Sequence, residues 1–141
     1  METYFIDTSF FIALEALDDQ YRPGAVACWE EETDPLPELV TTRWVMDETV
    51  TFFNTRGKHD KAVEIGERMQ ASVALDLVAV SAPLFAAAWG IFKQYQDKTF
   101  SLTDCVSFAL MQDCSIGTAF AFDVHFRQMG FRTLPETDSG G

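Results

Sequence analysis

Four carboxylates stand where a charge is costly to leave alone. Asp7 follows the apolar run Tyr4-Phe5-Ile6, and Glu48 closes Trp44-Val45-Met46-Asp47-Glu48. Asp104 lies in Ser101-Leu102-Thr103-Asp104-Cys105, and Asp123 follows Phe120-Ala121-Phe122. Two end strand-like runs and two sit early in apolar helices, settings in which an unpaired charge is expensive. Gathered in one place, the four cannot all remain ionised without a cation among them. The chemistry they predict is a divalent-metal site.

Each acid has a plainer explanation taken alone. Asp7 and Asp123 suit helix N-caps, and Asp104 suits a capping box with Ser101. Glu48 does not yield to that reading. At about 100° per residue it falls between Trp44, Val45 and Phe52, whereas Asp47 falls in the gap between the apolar faces. Glu48, not Asp47, is therefore the expected ligand. Other chemistries find less support. Only His59 and His125 could serve a histidine-based nuclease; His59 is far from every motif, and His125, two residues past Asp123 and within approach of the site, reads rather as a surface or capping residue. There is no GxSxG elbow, P-loop or GxGxxG.

Strands must alternate with helices to place the acids. Thr3 to Ile6 reads as a strand, and Thr8 and Ser9 open a helix to about Leu17. Ala25 to Glu32 is helical, Thr33 to Glu38 a loop, and Leu39 to Thr41 a short strand. Thr42 caps a helix that runs to about Thr55, with Gly57 as its stop. Lys58 to Ser72 is helical, and Leu77 to Val80 is β-rich. Ser81 and Pro83 then start a helix to about Tyr95. Ser101 to Cys114 is a helix, Thr118 to Phe122 a strand, Val124 to Met129 a short helix and Phe131 to Leu134 a last strand. Apolar strands separated by helices imply an α/β fold with a parallel sheet covered on both faces. Right-handed crossovers carry all four acids to its carboxyl edge, where open sheets bind ligands.

Composition sets the frame. With 48% hydrophobic residues, the 141-residue chain has material for one domain over residues 1–134, followed by a polar tail from 135 to 141. The N-terminal apolar stretch is interrupted at Asp7 and lacks a basic flank, so the expectation is a cytoplasmic protein with no membrane span. Three cysteines without a CxxC pair are assigned no redox or zinc role. A net charge of −12 argues against a generally basic nucleic-acid surface. Any such binding must be local, at Arg43, the run Arg56-Lys58-His59-Lys61, the Lys93/Lys98 pair, or Arg127 and Arg132. A receiver-like signalling module is the main rival of a different class. It would need a phospho-acceptor at the end of a central strand, whereas Asp76 begins its strand.

The Asp7-Thr8-Ser9 opening, the Glu48 helix after a short strand, the Leu102-Thr103-Asp104-Cys105 helix start and the Phe122-Asp123-Val124-His125-Phe126 ending resemble a PIN domain of the VapC toxin type, over nearly the whole chain from Tyr4 to Leu134. The resemblance implies a three-layer α/β/α fold and a Mg²⁺- or Mn²⁺-dependent ribonuclease. It also implies a toxin held in check by an antitoxin, and a homodimer. Asp7, Glu48, Asp104 and Asp123 would then be the catalytic and metal-holding quartet, with Ser9 and Thr103 as polar accessories. Oxygen ligands and retained waters suit Mg²⁺. Attack by water would leave a 5′-phosphate and a 3′-hydroxyl. Arg43, at the start of the Glu48 helix, is the basic residue expected nearest the RNA. An apolar groove drawn from Phe10, Phe11, Trp44, Phe52 and Phe53 would suit a basic, amphipathic antitoxin segment. The alternative is a PIN-like module that binds RNA or protein without cutting.

Overall fold

Each of the first four strands is followed by a helix with a hydroxyl or carboxylate near its start. The computed structural model describes residues 2–136. In chain order it contains β1 (Thr3–Ile6), α1 (Thr8–Glu15), α2 (Arg22–Glu32), β2 (Glu38–Thr42), α3 (Arg43–Asn54) and α4 (His59–Ala71). There follow β3 (Leu75–Val78), α5 (Ala82–Gln94), α6 (Leu102–Asp113), β4 (Thr118–Phe120), α7 (His125–Gln128) and β5 (Arg132–Leu134). Of the polar tail predicted from residue 135, residues 137–141 lie outside the described part.

The five strands pair in parallel in the order β3-β2-β1-β4-β5. β1 is central, and its alternation divides the core. Tyr4 and Ile6 pack with Phe10, Ala13 and Ala25 of α1 and α2. Phe5 packs on the other face with Ala88 of α5, Phe108 of α6 and Phe126 of α7. A third cluster, Phe53, Ala62, Ile65 and Met69, joins α3 to α4. The result is the expected three-layer α/β/α arrangement. From β1 the chain crosses to β2 and β3 on one side, then returns to β4 and β5 on the other. The switch point therefore lies between the carboxyl ends of β1 and β4, the usual ligand crevice of such sheets.

Local chemistry accounts for most boundaries. Hydroxyls cap three helices: Thr42 accepts from Val45 N at 3.1 Å, Ser81 from Leu84 N at 3.2 Å and Ser101 from Asp104 N at 3.0 Å. Gly57 takes φ 73°, which suits a residue without Cβ in the turn after α3. α1 stops at Glu15 rather than near Leu17, because Leu17 is 81% exposed and has no core to join. α2 starts earlier than Ala25, at Arg22, with Pro23 supplying a φ fit for the first turn. The third strand is Leu75–Val78, not Leu77–Val80. Its register against Leu39–Thr42 is set by pairing, and the more apolar Ala79-Val80 leaves the sheet toward Ser81. Asp76 is then an exposed residue inside an edge strand, which removes the receiver-like reading.

The aromatic set expected to line a groove is dispersed instead. Phe10 and Phe53 are fully buried in different clusters, and Trp44 packs edge-on against Phe85. Only Phe11 of that set lines the apolar cavity of about 250 Å³ that does exist, with Ile6, Leu14, Trp29, Leu39 and Met69. Among the described residues no helix is long and apolar enough to cross a membrane.

A buried hydroxyl ties β2 to the end of β1 just before Asp7: Thr41 Oγ1 donates to the Ile6 carbonyl at 2.6 Å. Thr41→Val keeps the shape and removes the donor. It should lower unfolding stability by about 1–3 kcal/mol, read as a shift of the urea midpoint at unchanged slope.

Candidate metal centre

Asp7 is placed by three hydrogen bonds at the switch point. Its N–H donates to the Phe120 carbonyl at 3.0 Å, extending the β1–β4 pairing by one residue. Its side chain caps α1, with Oδ2 accepting from Ser9 N at 3.1 Å and Ser9 Oγ at 2.6 Å. Ser9 Oγ in turn accepts from Phe122 N at 3.0 Å. That contact explains why β4 ends at Phe120 and not at Phe122 as expected. Past Phe120 the chain turns toward Ser9 and delivers Asp123.

Glu48 reaches the same place from α3. Thr8 Oγ1 donates to Glu48 Oε1 at 2.7 Å, while Asp47 is exposed. Asp104 is fixed by the predicted capping box, its Oδ2 accepting from Ser101 N at 3.1 Å. His125 Nδ1 lies 2.8 Å from that same oxygen and 3.1 Å from Asp123 Oδ1, and the Asp123 Oδ1 accepts from His125 N at 2.9 Å. All four acids, with Ser9 and His125, line one depression of about 330 Å³.

Burial and mutual repulsion dominate the electrostatics. Loss of solvent raises the Asp7 carboxyl to about 7, with Asp104 and Asp123 adding to the rise and the Ser9 hydrogen bonds opposing it. Desolvation also raises Glu48, with Asp104 adding to it, while the Thr8 and Thr103 hydroxyls hold it down. Asp104 is raised by desolvation and by Asp123, against the Ser101 amide and His125. Among the described residues, the protein's hydrogen bonds to each of the three aspartates fall on one oxygen: Oδ2 of Asp7, Oδ2 of Asp104 and Oδ1 of Asp123. Half of each carboxylate is left for another partner. An oxygen-rich, half-used, mutually repelling set is what a hard divalent cation fits.

Two participants escaped the sequence reading. His125 was expected at the surface, but its side chain is 18% exposed and touches two of the acids. The signal was its place two residues after Asp123, where a residue starting a short helix folds back over the acid before it. Thr8 was read only as a helix opener, yet it orients Glu48. The Asp104, Asp123 and His125 donor atoms lie within 4.8 Å of one another. Arg43 is exposed on the first turn of α3 and does not line the depression.

The PIN domain family model matches residues 4–132. The chain is 32% identical over 127 residues to a 23S rRNA-specific endonuclease VapC20 from two strains of Mycobacterium tuberculosis, CDC 1551 and H37Rv, covering 90% of this chain and 94% of the relative. It is similar to the crystal structure of the Mycobacterium tuberculosis VapC20, described as a sarcin-ricin loop cleaving toxin. There the TM-score is 0.83 and the identity 31%, over 91% of this chain and 95% of that one. A toxin–antitoxin complex from Klebsiella pneumoniae shares the fold at a TM-score of 0.59 and 11% identity, over 86% and 87% of the two chains.

A carboxyl raised from 3.8 to about 7 takes up a proton on folding between those values. Its contribution is fully present below about pH 4 and is lost as pH rises through 7. In EDTA, wild type and Asp7→Asn should therefore melt alike at pH 4, with the variant increasingly the more stable toward pH 8. Mn²⁺ should raise the wild-type melting temperature and raise that of Asp7→Asn much less. Equal shifts with Mn²⁺ would remove Asp7 from the cation site.

Proposed function

The chain belongs to the PIN domain family, and on that footing we propose that it is a metal-dependent endoribonuclease hydrolysing RNA phosphodiester bonds, the toxin of a toxin–antitoxin pair. The observation that carries this reading is the meeting of Asp7, Glu48, Asp104 and Asp123 in one depression at the switch point of the sheet. The rival reading, a PIN-like module that binds without cutting, gives no reason for four carboxylates to share a site at such electrostatic cost.

Asp7, Glu48, Asp104 and Asp123 would hold Mg²⁺ or Mn²⁺. When bound, such a cation offsets charge on the scissile phosphate and acidifies a water. The chain's own part is positioning. Ser9 and the Ser101 amide occupy one oxygen of Asp7 and of Asp104, fixing each carboxylate's plane. Thr8 and Thr103 orient Glu48. With its proton on Nδ1, His125 donates to Asp104 and sits against Asp123, so the two acids stay close. Hydrolysis by water leaves 5′-phosphate and 3′-hydroxyl ends without using the ribose 2′-hydroxyl. Arg43 is the proposed contact to the RNA backbone beyond the depression.

The proposed protein partner is a basic, amphipathic antitoxin segment. The apolar cavity beside α1 offers it a seat, since Phe11 lines the cavity while Thr8 and Ser9 of the same helix line the acidic depression. A cationic side chain could then reach the acids. Homodimerisation is carried over with the family, and the cytoplasm is the proposed location, in keeping with action on RNA.

Antitoxin-free protein should cut RNA with Mg²⁺ or Mn²⁺ and not in EDTA. 23S rRNA, the substrate in the relatives' name, is to be tried beside tRNA and generic RNA. Glu48→Gln and Asp104→Asn should each lower kcat on the order of 10²–10³-fold, the scale seen when one transition-state charge stabiliser is removed. Asp47→Asn should stay close to wild type. Loss at Asp47 with little at Glu48 would refute the assignment of the α3 ligand. Arg43→Ala should weaken RNA binding and leave Mn²⁺ affinity unchanged, both measured by titration.

A further inference from the structure

Beside the acidic depression is a second pocket, of about 340 Å³, built from the end of α5 and the segment after it. Trp89, Phe92, Tyr95 and Phe100 supply its aromatic walls, and Lys93 and Lys98 its charge. Resting on the nuclease reading above, we propose that this pocket is a subsite for single-stranded RNA, seating the base of a nucleotide next to the bond that is cut.

Continuity with the depression comes first. Thr99 lines the depression and its hydroxyl lies 3.3 Å from His125 Nε2. Its neighbours Lys98 and Phe100 line the pocket. The Phe100 ring meets the His125 ring edge-on at 5.3 Å, so one side chain forms the wall between the two spaces. A strand whose phosphate lies against the acids has its adjoining nucleotide at this wall.

The chemistry of the pocket matches a base with its phosphate. Trp89 and Phe92 are 44% and 41% exposed, and their rings lie within 13° of parallel at 5.5 Å. Large aromatic surface left open to water is unfavourable in a protein that gains nothing from it, and base stacking on such rings tolerates any sequence. The exposed Gln96 amide can donate to and accept from a base edge.

Charge at the pocket adds to this match. In a chain of net charge −12, four of the ten lysines and arginines are engaged elsewhere. Lys61 and Arg68 hold Glu15, Arg132 holds Glu136, and Arg56 lies over the Phe52 ring. Among the described residues Lys93 makes no ion pair, and Lys98 reaches only Asp97 at 3.3 Å, an exposed bridge of little worth. Two available ammonium groups flank an aromatic pocket one side chain away from a phosphodiester-cutting site. That combination fits RNA, whose bases stack on the rings while its phosphates meet the ammonium groups.

The test uses fluorescein-labelled oligoadenylate and oligouridylate, titrated in EDTA at several salt concentrations. The proteins are wild type, Lys93→Ala/Lys98→Ala, Trp89→Leu and the control Arg68→Ala. Mass by light scattering and melting temperature are measured for each. Trp89→Leu should weaken binding roughly five- to hundredfold, the loss of one stacked base. The lysine pair should make the slope of log K against log salt shallower by about 1.4, two phosphates at about 0.7 each. On the RNA that is cut, both variants should raise KM and leave kcat near wild type. Because the lysine side chains reach solvent, that variant decides the matter if Trp89→Leu melts early. Wild-type affinity and slope in the lysine variant would overturn the proposal. So would a halved mass in Trp89→Leu with RNA affinity per protomer unchanged, which would make this face a contact between copies. A wild type that cuts RNA alongside indifferent variants removes the subsite alone, whereas a wild type that neither binds nor cuts removes the nuclease reading as well.

Discussion

Repulsion among carboxylates drawn out of water is the interaction around which this molecule is arranged. Asp7 is the most affected, chiefly because it is buried and further because it faces Asp104 and Asp123. A loose scaffold would relieve the strain by letting the acids drift apart. Here they cannot, because Asp7 and Asp123 leave adjacent strands of one sheet while Asp104 and Glu48 sit near the starts of helices packed on that sheet. The core residues behind them, Phe5, Phe108 and Phe126 on one face and Ile6, Phe10 and Phe120 on the other, are all essentially solvent-free. Close packing converts a repulsive cluster into a fixed demand for positive charge.

Helix capping and the proposed cation binding share the same side chains without competing. Asp7 caps α1 and Asp104 closes a capping box on α6, each through Oδ2 alone. A carboxylate has two oxygens, and an N-cap needs one. Capping therefore does for these acids what an added residue would otherwise have to do, holding the side chain in one rotamer. Ser9 extends the scheme by donating to Asp7 and accepting from the Phe122 amide, so that the loop carrying Asp123 is tied to the helix carrying Asp7.

The sequence made the parallel sheet and the gathering of the four acids at its carboxyl edge legible, for identifiable reasons. Strand and helix periods differ, capping hydroxyls at Thr42, Ser81 and Ser101 mark helix starts, and crossover handedness sends all of those starts to one edge. The angular position of Glu48 against Asp47 was readable because α3 is strongly two-faced. Other features depended on pairing partners that a linear pattern does not name. The register of β3 follows β2, so the most apolar stretch of that region, Leu77–Val80, was a poor guide. His125 was misread because its two acidic neighbours come from Asp104, 21 residues away, and from a backbone turn at Asp123. The aromatic groove failed for a similar reason. Phe10 and Phe53 are both apolar positions, and nothing in their spacing tells that each faces a different core.

The strand order has a consequence for how the protein is made. The central strand is the first to leave the ribosome, but its neighbour on the site side, β4, spans residues 118–120. Chains emerge from the N-terminus, and structure that depends on distant partners must wait for them. A growing polypeptide that has reached α6 already holds Asp7, Glu48 and Asp104. It still lacks the β1–β4 pairing, Asp123 and His125, and the Phe122 amide that Ser9 accepts from. The depression is completed only once residues 118–125 have been made and released, so a copy that stops short of them has no assembled site.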